Sequence, residues 1–134
     1  MIYFIYGPPG SGKTTYALSK IVAGDIIIDF DRIAECITAQ ESHSLEFSLF
    51  DRIDNTFRYL VNTIEAYPGV RHTYIIRCAA ERQDREPFKE IGAELYFMET
   101  PKIECIRNCT NRSGNYGRWK GVVDKWFKNY EEEL

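Results

Sequence analysis

The sequence contains little of what would assign it to a membrane, a metal-binding or a strongly basic class of protein. No apolar run approaches the ~20 residues that a helix needs to span a bilayer, so we expect no membrane partner. Four Cys and two His residues, with no C-x-x-C pair, are too few and too scattered for a structural zinc site. The net charge of −3 excludes a global basic field for nucleic acid, although not a local basic groove.

Repeats, linkers and low-complexity segments are missing as well, which favours a single structural unit. A chain of 134 residues can bury one core but has no room for a second enzymatic domain. We therefore predict one domain over residues 1–134. No signal peptide precedes the first predicted strand, so we expect a cytoplasmic protein in which Cys105 and Cys109 are small buried thiols. The oligomeric state stays open between a monomer and a small homo-oligomer.

One segment fits a phosphate-binding loop at every fixed position of the pattern G-x-x-x-x-G-K-[ST]. It reads Gly7-Pro8-Pro9-Gly10-Ser11-Gly12-Lys13-Thr14. An apolar run at residues 2–6 precedes it as a predicted buried strand, and residues 13–22 follow as a predicted helix that Gly24 ends. This strand–loop–helix context turns the pattern match into a prediction of nucleotide binding.

The residue types explain how such a loop would hold phosphates. Glycines let backbone N–H groups point inward around a β-phosphate, and the new helix adds its positive N-terminal end. Lys13 is expected to reach the β- and γ-phosphates of ATP, and the Thr14 hydroxyl is expected to bind Mg²⁺. The predicted ATP-binding set is Gly7, Pro8, Pro9, Gly10, Ser11, Gly12, Lys13, Thr14 and Thr15.

Strands and helices alternate along the rest of the chain. Apolar runs predict strands at residues 25–31, 73–76 and 94–98. Helical spacing predicts a long helix at residues 45–67 after a polar loop at 38–44, then a helix that Thr100 caps, and a final helix that carries Trp126. The alternation predicts an α/β fold with a doubly wound, mostly parallel sheet, as in P-loop nucleoside triphosphate hydrolases, with a C-terminal lid and helix.

Polar side chains follow two of the predicted strands. Asp29 and Asp31 would face the phosphates, because ligands bind beyond the carboxyl ends of strands in open α/β sheets. Asp31 is predicted to orient or deprotonate an acceptor, and an N-cap role is the alternative or an addition. Asp29 either belongs to the Mg²⁺ water shell or only ends its strand. Arg77 either binds an acceptor phosphate or pairs with an acid such as Glu81.

Basic residues flank a glycine-bearing break at residues 113–117. Arg107 and Arg112 precede the break, and Arg118 and Lys120 follow it. A kinase needs positive charge that closes over the transferred group and excludes water, and a mobile lid is expected at such a break. We predict a lid at about residues 107–120 in which Arg112, with Arg107, stabilises the transferred charge; a surface role is the alternative for each.

Two further expectations concern the third strand and the aromatic residues. A motor ATPase is disfavoured, because the third strand ends in Arg77-Cys78 and not in the acidic pair that would hold Mg²⁺ and position water. Tyr16, Trp119 and Trp126 are expected to pack against the protein and not to stack on a base.

These motifs resemble small P-loop phosphotransferases, and most closely the kinase domain of phage-type 5′-polynucleotide kinases, over most of the chain. In that family an apolar strand ending in an Asp follows the loop, and the resemblance implies that Asp31 activates the acceptor hydroxyl. The family's lid helix, x-P-x-x-E-x-x-x-R-N-x-x-R, is similar to residues 100–112. Arg112 matches the second lid arginine, whereas Asn108 stands at the first and Arg107 is displaced by one.

Some positions depart from that family, and a second family is also similar. Phe30 and Ala34 stand where arginines that grip nucleic acid are expected, and no Asp follows the third strand. The segment at residues 29–35 resembles the D-x-D-x-x-I-E segment of shikimate-kinase-like small-molecule kinases, which implies that Asp29 helps to hold the Mg²⁺ shell. Short phage-encoded P-loop proteins look similar too, which implies a phage protein in the host cytoplasm.

The sequence therefore predicts an ATP-dependent phosphotransferase that uses Mg²⁺. Its expected acceptor is a hydroxyl or phosphate of a nucleotide-like or small molecule, with a 5′-hydroxyl nucleic acid end among the candidates. The alternatives are an ATPase or ATP-binding regulator that acts through a protein partner, and a nucleotide-binding module without chemistry.

Overall fold

Four parallel strands form the centre of the computed structural model, which describes residues 1–40 and 47–134. The strands are β1 (Ile2–Tyr6), β2 (Ile26–Asp29), β3 (Thr73–Arg77) and β4 (Glu94–Phe97). Their order across the sheet is β2-β3-β1-β4, and every neighbouring pair is parallel. Tyr6, at the carboxyl end of β1, is in register with Arg77 of β3 and with Phe97 of β4. All four carboxyl ends therefore meet at one edge of the sheet.

Six α-helices connect and follow these strands within the described residues. They are α1 (Lys13–Lys20), α2 (Phe30–Thr38), α3 (Phe50–Asn62), α4 (Arg82–Glu90), α5 (Lys102–Ser113) and α6 (Tyr116–Asn129). Short 3₁₀ turns at Phe47–Leu49 and Ile64–Ala66 flank α3. None of the described helices combines the length and the apolar character needed to cross a lipid bilayer.

The two faces of the sheet are covered by different helices, because successive side chains of a strand point in opposite directions. On one face, Ile5 and Ile76 pack against Ala17 of α1. On the other face, Phe4 and Ile75 pack against residues of α3 and α4, among them Phe57, Val61 and Phe88. Both faces are buried, as a parallel sheet requires. The predicted doubly wound α/β fold is confirmed.

The C-terminal helices form a hairpin beside the sheet. Cys105 of α5 and Val123 of α6 are fully buried in their shared contact, and the predicted burial of Cys105 and Cys109 is confirmed. Trp126 stacks on Tyr130, with ring centroids 5.0 Å apart. Tyr16 stacks on Tyr96 at 4.6 Å. Trp126 and Tyr16 therefore pack within the protein, as expected.

Three predicted helix ends are wrong. The N-cap of α2 is Asp29 and not Asp31, because Asp29 is still extended and its carboxylate accepts the Asp31 N–H two residues on. Thr100 does not cap α5; Pro101 occupies that position, and the Thr100 hydroxyl bonds to the phosphate-binding loop instead. Helix α1 ends at Lys20, so Gly24 lies in the following turn with a φ of 96°.

The predicted helix at residues 45–67 is shorter in the structure. Its α-helical part is Phe50–Asn62, and a 3₁₀ turn replaces the last predicted turn. Leu45 and most of the predicted polar loop at 38–44 lie outside the described residues.

Candidate functional site

Glycine is required in the phosphate-binding loop at two positions where the backbone is left-handed. Gly10 has a φ of 79° and Gly12 a φ of 90°, conformations that residues with a Cβ rarely adopt. A Cβ on Gly10 would also lie only 2.7 Å from the Cys109 Sγ. The loop is therefore pressed against α5 at Gly10, and any side chain there would separate the two.

Two hydrogen bonds also tie the loop to the α5 region. The Asn108 Nδ2 donates to the Gly10 carbonyl over 2.9 Å, and the Thr100 Oγ1 donates to the Ser11 carbonyl over 2.9 Å. Sequence reasoning missed both contacts, since they join positions about ninety residues apart. They hold the Gly10 and Ser11 carbonyls on the α5 side of the loop.

Lys13 lies within the curve of the loop. Its Nζ donates to the Pro8 carbonyl over 2.8 Å and to the Gly7 carbonyl over 3.0 Å. These are neutral acceptors, and a phosphate oxygen would form a stronger, charge-assisted bond with the same ammonium. The loop thus keeps a cation at the position where an anionic phosphate would bind.

Thr14 and Asp29 form a pair of hard oxygen ligands behind the loop. The Thr14 Oγ1 donates to the Asp29 Oδ2 over 2.6 Å, and Asp29 is 3% exposed. Hydroxyl and carboxylate oxygens suit Mg²⁺, which commonly binds to a few protein oxygens, substrate phosphates and waters. Among residues 1–40 and 47–134, no cluster of three or more His, Cys, Asp or Glu could hold a metal ion by itself. The chemistry of this pair fits a magnesium–nucleotide complex better than a metal held by the protein alone.

Asp31 opens the first turn of α2 beside the loop. Its carboxyl group is accessible within the cavity, although protein surrounds it on most sides. This desolvation is the main cause that raises the pKa of Asp31 above its usual value, and the neighbouring Asp29 raises it further. Lys13 and Arg112 act in the opposite direction. A carboxylate with a raised pKa is a stronger base, which suits the predicted role of Asp31.

Arg112 reaches the same region from the last turn of α5. Its guanidinium lies 6.0 Å from the centroid of the Trp119 ring, and its Nη2 contacts the Cys109 Sγ at 3.9 Å. Arg107 is exposed on another side of α5. The helical spacing explains the difference, because residues 105, 108, 109 and 112 share the side that faces the loop.

A cavity of about 300 Å³ brings most of the predicted site together. Eight predicted residues line it: Pro9, Gly10, Gly12, Lys13, Thr14, Thr15, Asp31 and Arg112. Three lining residues were not predicted: Ile76, Cys78 and Trp119. Of the other predicted residues, Gly7, Pro8, Ser11 and Asp29 are buried behind this surface, and Arg107 does not line it.

Arg77 takes the second of its two expected roles, since it pairs with an acid, and it does not line this cavity. Its Nη1 donates to the Asp54 Oδ1 over 3.1 Å, so its acidic partner is Asp54 of α3 and not Glu81. The side chain points to the sheet face that α3 and α4 cover, whereas its neighbours Ile76 and Cys78 line the cavity on the other side.

Solved structures share this fold at low sequence identity. A chain in the structure of the Pnkp1/Rnl/Hen1 RNA repair complex matches with a TM-score of 0.65 at 13% identity, covering 97% of this chain and 46% of that chain. A gluconokinase from Sinorhizobium meliloti 1021 matches with a TM-score of 0.58 at 16% identity, covering 98% of this chain and 74% of that chain. The present chain thus spans about half the length of the first structure's chain. No family profile and no curated protein matches the sequence.

These likenesses define the architecture of the chain. It has a P-loop kinase-like fold, with the phosphate-binding loop, the end of β2 and the α5–α6 hairpin around one cavity.

Proposed function

We propose that this protein is an ATP-dependent phosphotransferase that moves the γ-phosphoryl group to an acceptor hydroxyl. One observation carries the proposal: Asp31 and Arg112 line the same cavity as Lys13 and Thr14. A nucleotide-binding module needs only the last two residues. A carboxylate and a guanidinium beside them supply what phosphoryl transfer needs in addition, a group that orients the acceptor and a cation for the transferred charge.

Lys13 and the loop backbone would hold the donor. The Lys13 ammonium would exchange its bonds to the Gly7 and Pro8 carbonyls for bonds to phosphate oxygens. The Thr14 hydroxyl, with Asp29 behind it, would hold Mg²⁺. When bound, that ion neutralises the phosphate charge.

Asp31 would act on the acceptor. Its carboxylate accepts the hydrogen bond of an acceptor hydroxyl and takes the proton as the new O–P bond forms. The raised pKa of Asp31 favours proton uptake, and the nearby Lys13 opposes part of that rise. The backbone N–H of Asp31 bonds to Asp29, which fixes the residue at the start of α2.

The α5–α6 hairpin would supply positive charge on the donor side. It contains seven Lys and Arg residues and two acids, although the whole chain has a net charge of −3. Arg112 is the member that lines the cavity. Such a local field stabilises a triphosphate and the charge that develops on the transferred group.

The test is transfer of label from γ-labelled ATP in the presence of Mg²⁺. The acceptor panel contains 5′-hydroxyl oligonucleotides, nucleosides, nucleoside monophosphates and small alcohols. We expect labelled acceptor from the unchanged protein and none from Lys13→Ala or after chelation of the metal. Release of labelled phosphate at the same rate with and without every acceptor would contradict the proposal and favour an ATPase.

Nucleotide binding is expected to change the fluorescence of Trp119. This ring is 8% exposed, lines the cavity, and lies near the guanidinium groups of Arg112 and Arg118 at 6.0 and 5.6 Å. A triphosphate that attracts Arg112 will alter the charge beside the indole. Titration of MgATP should give a saturable change that Trp119→Phe removes. Trp126→Phe is the control, because Trp126 is stacked on Tyr130 and does not line the cavity; a response that follows Trp126 would contradict this assignment.

A further inference from the structure

A second cavity, of about 600 Å³, lies between α3, α4 and the carboxyl end of β3. Half of its lining is apolar: Phe50, Phe57, Val61, Ala79, Pro87 and Phe88. The other half is polar: Asp54, Arg58, Asn62, Arg77, Gln83 and Asp84. A cavity of this size that combines apolar walls with polar groups can hold a small molecule.

The charges of this cavity are already balanced by protein groups. Asp54 accepts from Arg77 over 3.1 Å and pairs with Arg58 at 2.9 Å. The Arg77 guanidinium also contacts two rings, 4.5 Å from the centroid of Phe30 and 4.9 Å from that of Phe57. With Asp84, the lining holds two cations and two anions. A ligand with its own phosphate therefore gains little electrostatic attraction here.

The two cavities adjoin across the end of β3. Ile76 and Cys78 line the first cavity, and Arg77 and Ala79 line the second. The first residues of α2 also face both sides. Asp31 lines the first cavity, and the ring of Phe30 lies against Arg77, which lines the second. The two cavities therefore lie on opposite faces of the sheet at the end of β3, and a ligand in the second would reach Asp31 over the carboxyl edge of the sheet. In phosphoryl transfer the attacking and leaving oxygens are roughly in line across the phosphorus, so the donor and the acceptor must enter from different sides.

We propose that the second cavity binds the acceptor and that the acceptor is a free, unphosphorylated nucleoside. This inference rests on the proposed function for the role of Asp31, but the binding of the ligand can be tested separately.

A nucleoside matches the lining in size, polarity and charge. Phe50 is 39% exposed, and its ring and Pro87 each offer apolar surface to a base. The side-chain amides of Asn62 on α3 and Gln83 on α4 can each donate to and accept from a base edge. A polyol would leave the apolar half without a partner, and a nucleotide would bring a charge that the lining does not neutralise.

The proposed step transfers one phosphoryl group. A ribose hydroxyl oxygen forms the new bond to the γ-phosphorus, and the bond between that phosphorus and the oxygen bridging to the β-phosphate breaks. The bridging oxygen keeps the electron pair in ADP. The hydroxyl proton passes to the Asp31 carboxylate and then to solvent.

The experiment fills the second cavity from two sides. Asn62→Trp and Gln83→Trp each place an indole into it from exposed positions on α3 and α4, and Glu90→Trp at the exposed end of α4 is the matched control. Thermal unfolding is recorded for each variant. Binding of adenosine, guanosine, cytidine and uridine is measured by calorimetry with a non-hydrolysable ATP analogue present. Transfer from labelled ATP is measured with the same nucleosides, their 5′-monophosphates, a 5′-hydroxyl oligonucleotide and gluconate.

We expect at least one nucleoside to bind and to accept the label. The two filled variants should raise both the Kd and the KM of that nucleoside by about tenfold or more, while the KM for ATP changes by less than about twofold. Glu90→Trp should behave like the unchanged protein. If one filled variant fails to fold, the other gives the same test from the opposite wall.

Three results would overturn the inference. Nucleoside binding or transfer that both folded, filled variants retain would mean that the cavity is not the acceptor site. Preference for a monophosphate, the oligonucleotide or gluconate by about tenfold or more would contradict the free nucleoside. Absence of nucleoside binding in the unchanged protein would also contradict the free nucleoside as the acceptor. Nucleoside binding that is lost in the filled variants, without transfer of label, would instead support the cavity and refute the proposed function.

Discussion

Asp31→Asn is expected to lower the rate of phosphoryl transfer by roughly 10²–10⁴-fold, the usual contribution of a general base. The amide keeps the shape of the side chain but cannot take the proton of an acceptor hydroxyl. Affinity for ATP should change by less than about twofold, because the loop contacts of Lys13 and Thr14 do not involve the Asp31 carboxylate. Single-turnover transfer and the fluorescence titration measure the two quantities on the same protein.

The same substitution is expected to stabilise the fold near neutral pH. Burial among protein groups and the charge of Asp29 raise the pKa of Asp31, so the folded state holds its proton more tightly than the unfolded state. Ionised Asp31 therefore costs stability above its folded pKa. That cost disappears as the pH falls below its unfolded pKa. The melting temperature of Asp31→Asn should exceed that of the unchanged protein at pH 7, and the difference should vanish in acid.

Glu35→Gln is the control for the loss of transfer but not for the stability effect, because the Glu35 charge also raises the pKa of Asp31. Glu35 is exposed one turn further along α2, and it lines neither cavity. The variant removes one carboxylate charge but should keep the transfer rate within about twofold. Full transfer by Asp31→Asn, or an equal loss in Glu35→Gln, would show that the proton does not pass to Asp31.

The donor half of the cavity was predictable, because its residues lie close together in the sequence. The loop pattern specifies the backbone at Gly10 and Gly12 directly, and Lys13 and Thr14 follow from the same segment. Asp31 was predictable for a similar reason, since it comes two residues after a short apolar strand whose carboxyl end must lie at the loop. Each inference needed only a strand direction and a short spacing.

The α5 contacts depend on helix rotation, which the sequence leaves uncertain. A difference of one residue decides whether a side chain faces the loop. Asn108 bonds to the Gly10 carbonyl of the loop, whereas the neighbouring Arg107 is exposed on another side of α5. The role of Thr100 was missed for a related reason. Its hydroxyl could cap a helix or bond to a distant carbonyl, and only the packed structure brings the Ser11 carbonyl within reach.

The second cavity could not be predicted from a local pattern. Its polar residues come from α3, β3 and α4, and in the sequence Asp54 is simply one polar position of an amphipathic helix. The partner of Arg77 depends on how far α3 is displaced along the sheet. Because that displacement is set by the whole of the apolar core, no motif in the sequence encodes it.

Arg85→Met is expected to destabilise the fold by about 3–5 kcal/mol, because it removes a buried guanidinium together with its ion pair and its hydrogen bonds to three carbonyls. Arg85 is 0% exposed, and its Nε pairs with the Glu133 Oε2 over 3.0 Å. Its Nη groups donate to the carbonyls of Ala79, Ala80 and Glu131. The Met side chain fills similar space but donates no hydrogen bond, so three partly buried carbonyls would lose this donor. Urea unfolding followed by the tryptophan signal gives the free energy.

This prediction follows from a C-terminal segment whose acidic run, at residues 131–133, would be solvated on composition alone. Instead, the N–H of Glu131 donates to the Ala80 carbonyl over 2.9 Å, and Glu133 pairs with both Arg85 and Lys89. The Arg85 guanidinium also lies 4.6 Å from the centroid of the Tyr6 ring, directly before the phosphate-binding loop. The segment at residues 131–134 thus packs against α4, and Arg85 links it to the end of β1.

Removal of residues 131–134 should therefore destabilise the protein through the same contacts. It deletes the Glu131 carbonyl and the Glu133 carboxylate that Arg85 needs, so adding Arg85→Met to the shortened chain should cost less than it does in the full chain. Arg82→Met is the control: its guanidinium lies 3.7 Å from Glu131 with a 40% exposed side chain, and such a pair contributes less than about 1 kcal/mol. Two results would show that the buried guanidinium does not hold the C-terminal segment in place. One is equal destabilisation of the full chain by Arg85→Met and Arg82→Met. The other is an Arg85→Met substitution that costs as much in the shortened chain as in the full chain.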